Sequence, residues 1–345
     1  MKGNETQKER FLVLDALRGI ASILVVLYHY TTRYQELYCN SCKPFIEVKY
    51  GGYGVELFFI LSGFVIFYSV EKKTSLVSFF YSRFFRLFPV YWSAMLVTSI
   101  FIASFGLIDR DVTLYQFFVN LTMFQEFFRV ENIDGVYWTL AVELSFYFVI
   151  GLLLLLKLIP KIVTIINIWL IIYMLIKSII YYSGHNPLPS YILILIDYSL
   201  LFCLGVIFNK LHSKKEYFYM SNIVFISLVY FFIATTSGGI LSILIISIFY
   251  LFIVDKLNLL IVKPLLFLGA ISYPLYLIHQ NIGYIILNNM NEMNININIR
   301  ILISLFFVVA LAYLCHIMIE KPAMKLSLEI RKRLANKTRT LLNLK

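Results

Sequence analysis

Within stretches of almost unbroken apolar sequence stand His29, Glu56, Glu143, Asp197 and His279, with Asp15 and Arg18 near the start of the first stretch. Ionisable groups are costly in hydrocarbon, so each is a candidate functional group by default. An imidazole and a carboxylate shielded from water are common materials of proton transfer. Each also has a structural reading. A lone intramembrane histidine such as His279 commonly links one helix to another. Asp197 has Lys177 as a partner of opposite sign, or an interfacial position. Glu56, following Gly51-Gly52-Tyr53-Gly54, caps a helix, lines a cavity or sits among headgroups. Arg83 and Arg86 lie in Ser82-Arg83-Phe84-Phe85-Arg86-Leu87-Phe88-Pro89. Spacing i, i+3 puts both guanidinium groups on one helical face. Planar forks grip phosphate oxygens two at a time; such a pair also serves as a positive-inside anchor.

These groups need elements to hold them. The chain has 345 residues, 60% hydrophobic and 14% charged, with a mean hydropathy of +0.82. Soluble domains run near about 45–50% apolar and about 25% charged. The apolar excess is too large for one buried core and must face lipid; 31 Phe and 25 Tyr fit a membrane body with aromatic belts. The expected fold is all-α, a polytopic transmembrane bundle. About 20 apolar residues cross the hydrocarbon. On that rule about 10 spans are expected, at 12–33, 52–70, 87–106, 138–156, 162–182, 191–208, 222–236, 240–254, 264–287 and 300–319. The seventh and eighth are short, parted by the turn signal Thr235-Thr236-Ser237-Gly238-Gly239. At about 1.5 Å per residue, His29 and Glu56 lie about 6 Å below the outer face, Glu143 about 7–8 Å and His279 about 12 Å. Four groups from four helices thus share the outer half. Ser62 and Gly63 read as a close-packing site.

With the N-terminus inside, 22 of the 30 Lys and Arg residues fall in inner segments and six in outer ones. That bias predicts both termini in the cytoplasm. It also accounts for the net charge of +11 without nucleic acid, and makes the basic tail around Arg331-Lys332-Arg333 a solvated or lipid-facing anchor. The stretch from Phe11 carries Asp15, Arg18 and His29, so it reads as a retained span rather than a cleaved signal. Loop 107–137 sets Phe117-Phe118, Met123-Phe124 and Phe127-Phe128 among polar residues, the pattern of a partly helical interfacial segment. Of four cysteines, Cys39 and Cys42 form a C-x-x-C with no second pair to complete a metal site. They read either as a disulfide or as two loop thiols. The chain is expected to be a single membrane domain, 1–345.

Six ordered segments carry a resemblance. They are Leu14-Asp15-Ala16-Leu17-Arg18-Gly19, with ten residues between Arg18 and His29; Gly54-Val55-Glu56-Leu57-Phe58-Phe59-Ile60-Leu61-Ser62-Gly63-Phe64; Arg83-Phe84-Phe85-Arg86-Leu87-Phe88-Pro89 with Tyr91-Trp92; Trp138-Thr139-Leu140-Ala141-Val142-Glu143; Ser272-Tyr273-Pro274-Leu275-Tyr276-Leu277-Ile278-His279; and Glu320-Lys321-Pro322. In these the chain resembles the integral-membrane acyltransferase-3 family, bacterial enzymes that O-acylate surface polysaccharides and related acceptors. Glu56 stands where the family often has Asp, and the expectation is that no extra extracytoplasmic hydrolase-like domain is present.

The resemblance implies His29 as the catalytic histidine and Glu143 as its partner. It places Arg18, Arg83 and Arg86 near an acyl-CoA path, with Glu56, Trp138 and His279 as further candidates to line the site. It implies transfer of an acyl group, acetyl by default, from acyl-CoA to a hydroxyl of a polysaccharide or its lipid-linked precursor, at the bacterial cytoplasmic (inner) membrane, with no bound cofactor and no metal. Three alternatives stay open. A transporter or flippase of a lipid-linked sugar or small solute predicts inverted repeats with broken helices, which the sequence does not display. An acyltransferase with a non-polysaccharide acceptor differs only in the acceptor loops. A non-catalytic scaffold leaves the ordered motifs unexplained.

Overall fold

A computed structural model describes residues 2–39, 41–71, 75–184, 186, 188–214, 216–233 and 236–342; side chains at 2–11, 214, 233, 236–242 and 334–342 lie outside the description. Among the described residues there are helices and turns and no strand. The helices are α1 (Lys2–Tyr28), α2 (Tyr34–Tyr38), α3 (Gly54–Glu71), α4 (Leu76–Phe105), α5 (Leu114–Asn120), α6 (Trp138–Leu155) and α7 (Ile162–Ser183), then α8 (Ser190–Lys214), α9 (Tyr217–Ile233), α10 (Thr236–Ile253), α11 (Lys263–Glu292), α12 (Ile297–Cys315) and α13 (Lys321–Leu342).

Among the described residues, seven helices are long and apolar enough to cross a membrane: Leu12–Tyr38, Gly51–Glu71, Leu76–Phe105, Gly135–Leu155, Ile159–Ser183, Ser190–Ser213 and Ile297–Arg333. The chain is thus an all-α polytopic bundle. Tyr217–Phe232 and Ile243–Ile253 are shorter apolar helices, at the seventh and eighth expected spans. α11 has the length, but Ser272 and His279-Gln280-Asn281 interrupt its apolar run. Several boundaries differ from the hydropathy reading. α4 starts at Leu76, where the Ser75 side chain accepts from the Ser78 backbone N–H; Arg83 and Arg86 therefore lie within a helix that begins before the apolar run. The break expected at Thr235 falls outside the described residues, while Ser237, Gly238 and Gly239 belong to α10. Of the lysines counted in the charge bias, Lys72, Lys73, Lys215 and Lys345 also lie outside. Loop 107–137 is partly helical, as expected, through α5.

The contacts define two compact units. The first comprises Met1–Ile23, Gly52–Lys73 and Thr139–Gly269. In it α3 crosses α8 at a glycine pair: a Cβ on Gly63 would sit 2.4 Å from the Phe202 carbonyl oxygen, and one on Gly205 2.2 Å from that of Ile60. Backbones this close need the absent side chains, as at other small-residue helix contacts in membranes. Polar links add to the packing: Lys177 pairs with Asp197 at 2.6 Å, and Lys210 with Glu71 at 2.6 Å.

The second unit comprises Leu24–Gly51, Thr74–Trp138 and Ala270–Lys345. It contains two π turns, His29–Arg33 and His316–Glu320, in which Tyr34 N–H reaches the His29 carbonyl and Lys321 N–H that of His316. Such turns concentrate at functional sites because they re-aim side chains within a helix. The Tyr273 hydroxyl of α11 donates to the Leu87 carbonyl of α4 at 2.9 Å, and Arg331 Nε of α13 donates to Ser78 Oγ at 2.7 Å. Cys39 and Cys42 are joined in a disulfide.

Candidate active site

His29 opens the first π turn, half-buried. Its Nδ1 lies 2.8 Å from the Val25 carbonyl oxygen and 3.2 Å from Nε2 of His279. His279, fully buried, has its own Nδ1 2.8 Å from the Tyr276 carbonyl oxygen. A carbonyl oxygen accepts only, so each Nδ1 must carry a proton. His279 Nε2 is then a lone pair facing His29 Nδ1–H. The opposite tautomer of His29 would set its Nδ1 lone pair against the lone pairs of Val25. Assignment from the hydrogen-bond network therefore leaves Nε2 of His29 as an unprotonated ring nitrogen outside this network, the form a general base requires.

The surrounding groups fix this pair. Tyr30 donates from its hydroxyl to the His279 carbonyl at 2.7 Å. It fits because residue 283 is glycine: a Cβ there would meet the Tyr30 hydroxyl oxygen at 2.1 Å. Two residues past His279, Asn281 N–H donates to Asp134 Oδ2 at 3.0 Å, and Asn281 Nδ2 to the Ile133 carbonyl at 2.8 Å. Asp134 Oδ1 accepts from Val136 N–H at 3.2 Å. The Asp134 carboxyl is buried in the loop before α6, and burial pushes it up to about 6, against the pull of the Asn281 and Val136 N–H groups and Arg110. Further along, the Tyr34 hydroxyl donates to Asn288 Oδ1 at 2.8 Å. Arg300, itself buried, donates to the Leu287 carbonyl at 3.2 Å and to Cys42 Sγ at 3.2 Å.

Of the residues singled out in the sequence, the structure brings His29 and His279 together. Arg83 and Arg86 share α4. Arg86 lies 3.8 Å from Glu320 Oε1, whose other oxygen sits 2.7 Å from His316 Nδ1; the Arg83 guanidinium lies 5.7 Å from the centre of the Phe79 ring. Trp138 opens α6. Glu143, Glu56 and Arg18 belong to the first unit. There Glu143 Oε1 accepts from Tyr147 at 2.6 Å and from Ser62 at 3.2 Å. Glu56, buried, accepts from Tyr230 at 2.9 Å, and Arg18 lies 3.5 Å from Asp15.

Residues 11–317 match the sequence profile of a family described as an acyltransferase domain. The chain belongs to the acyltransferase-3 family. Three curated relatives align over shorter stretches. ORF330 of Acidianus two-tailed virus, whose name labels it an acetyltransferase, is 26% identical over 44% of this chain and 44% of its own length. Nodulation protein 10 of Rhizobium leguminosarum bv. viciae is 27% identical over 31% of this chain and 34% of its own. Protein 2 in the picA locus of Rhizobium radiobacter is 33% identical over 30% of this chain and 52% of its own. The chain thus spans about half or less of each. No solved structure matches. In this acyltransferase-3 chain, the residues that sequence reasoning passed over are Tyr30, Asp134, Asn281 and Tyr284. Tyrosines near span ends read as interface anchors, and Asp134 as a loop acid; only tertiary bonds set them apart.

Proposed function

We propose that this protein is a membrane O-acyltransferase that moves an acyl group, acetyl first, from acyl-CoA to a hydroxyl of a cell-surface polysaccharide or its lipid-linked precursor. Family membership supports acyl transfer, and the acetyltransferase name of one relative supports acetyl. The observation that carries the reaction is the pair of contacts at His29 Nδ1, 2.8 Å from the Val25 carbonyl oxygen and 3.2 Å from His279 Nε2; they assign the proton to Nδ1 and leave Nε2 its lone pair.

In the reaction so proposed, His29 Nε2 takes the proton of the acceptor hydroxyl as that oxygen bonds to the thioester carbonyl carbon. The carbon–sulfur bond breaks, and the CoA thiolate leaves with the proton returned by His29. The same lone pair also serves a covalent acyl-histidine route. Val25 and His279 together hold the ring in its tautomer, the orienting part a carboxylate plays in a Ser-His-Asp arrangement. Glu143 is the other candidate orienter, on the strength of the family motif. Arg83 and Arg86 take the CoA phosphates from the cytoplasmic side, with Glu320 setting the Arg86 guanidinium; Arg18, Glu56 and Trp138 are further candidates on the strength of the family motifs. The protein works in the cytoplasmic membrane of a bacterium.

The test is mass spectrometry of envelope polysaccharides from cells with and without the protein, together with acetyl-CoA consumption by the purified chain. An acetyl mass difference with matching CoA release is expected. Unchanged polysaccharides and no CoA release refute the reading.

A further inference from the structure

Tyr284 lies on α11, five residues beyond His279, and is fully buried. Its ring centre stands 6.4 Å from that of His29, 5.9 Å from Tyr34 and 5.3 Å from Tyr38. The other buried tyrosine hydroxyls beside it are bonded: Tyr30 to the His279 carbonyl and Tyr34 to Asn288. The Tyr284 hydroxyl has no hydrogen-bond partner among the described residues.

A buried hydroxyl without a partner destabilises a fold, and such groups are rare outside functional sites and sites of bound water. Phenylalanine would fill the same space without that cost. A desolvated donor on a ring whose centre stands 6.4 Å from that of His29 is, however, the kind of group that stabilises charge developing during a reaction. We propose that Tyr284 is a further catalytic residue, its hydroxyl donating a hydrogen bond to the acyl carbonyl oxygen as that oxygen becomes negative. The inference rests on the acyl-transfer reading of His29. When the acceptor oxygen bonds to the carbonyl carbon, the carbonyl electron pair moves onto its oxygen. Tyr284 keeps its proton and stabilises that oxyanion. The pair then returns, the carbon–sulfur bond breaks, and His29 delivers the acceptor's proton to the departing thiolate. The free hydroxyl thus has its partner only during turnover.

The experiment uses membranes from cells producing the full chain, supplied with acetyl-CoA labelled in the acetyl group. Label transferred to endogenous glycans is counted for wild type, Tyr284→Phe and His29→Ala, and the melting midpoint of each purified protein is recorded. Tyr284→Phe is expected to lower the maximal rate by about 10²–10³, the usual loss for one oxyanion donor. The acetyl-CoA concentration for half-maximal rate should be unchanged, and the melting midpoint equal or higher. A fall smaller than tenfold, or a fall accompanied by a lower midpoint, would overturn the assignment: the hydroxyl would then be a bound-water partner or a structural group. Wild-type membranes no better than His29→Ala membranes would instead sink the acyl-transfer reading, and this inference with it.

Discussion

Replacing His279 with leucine isolates what the histidine pair contributes. In Ser-His-Asp enzymes the orienting acid decides which ring nitrogen is protonated, and losing that control costs about 10⁴ in rate. Here the tautomer has two guardians. Val25 still accepts from His29 Nδ1 at 2.8 Å when the longer contact to His279, 3.2 Å, is gone. What disappears is one neutral hydrogen bond, worth about 0.5–1.5 kcal/mol, or roughly 2- to 13-fold in rate. His279→Leu should therefore lower the maximal rate of acetyl transfer by that modest factor, with acyl-CoA affinity unchanged. His279→Gln, whose amide oxygen can occupy the position of Nε2, should recover most of the loss. Initial rates of CoA release at saturating donor read both. A loss of 10³ or more in His279→Leu would mean that His279 takes part in the chemistry; no loss at all, that the pair is mere helix packing.

Two further outcomes follow from the geometry. Arg86→Ala should raise the acyl-CoA concentration for half-maximal rate several-fold more than that of the acceptor; equal effects on both would return Arg86 to anchoring α4 against Glu320. Asp134 tests the loop. Its folded carboxyl titrates at about 6 against an ordinary 3.8, so the folded chain favours the protonated form. That contribution is complete below pH about 4 and is lost as pH rises through about 6, a swing of order 3 kcal/mol. The difference in melting midpoint between wild type and Asp134→Asn should move against the wild type across that window. A pH-independent difference would show that Asp134 titrates normally.

Much of this was legible because lipid imposes one strong rule, and apolar runs mark helices that obey it. α3, α6 and α7 lie close to their expected bounds for that reason, and α8 starts at its expected place but runs on to Lys214. α4 does not, because a helix starts where its cap and backbone allow, before the hydrocarbon does. The close-packing role of Gly63 was readable from residue size alone. Depth along a helix put His29, Glu56, Glu143 and His279 in the outer half, but depth says nothing of rotation about the axis. The resemblance, not depth, gave Glu143 as the partner of His29; within the second unit His279 stands against His29, and within the first Glu143 accepts from Ser62 and Tyr147. Asp197 and Lys177, left between pairing and the interface, are paired. The C-x-x-C motif fits thiols and a disulfide equally until the loop is folded; here it is bridged and its Cys42 meets Arg300.

The central claim is that the ring nitrogen of His29 performs the proton transfer. Its most direct test is the steady-state turnover of acetyl-CoA by purified His29→Ala in lipid nanodiscs, beside wild type and empty nanodiscs. The account predicts turnover at the level of empty nanodiscs with an unaltered melting midpoint. A folded His29→Ala protein that keeps the wild-type rate would contradict it.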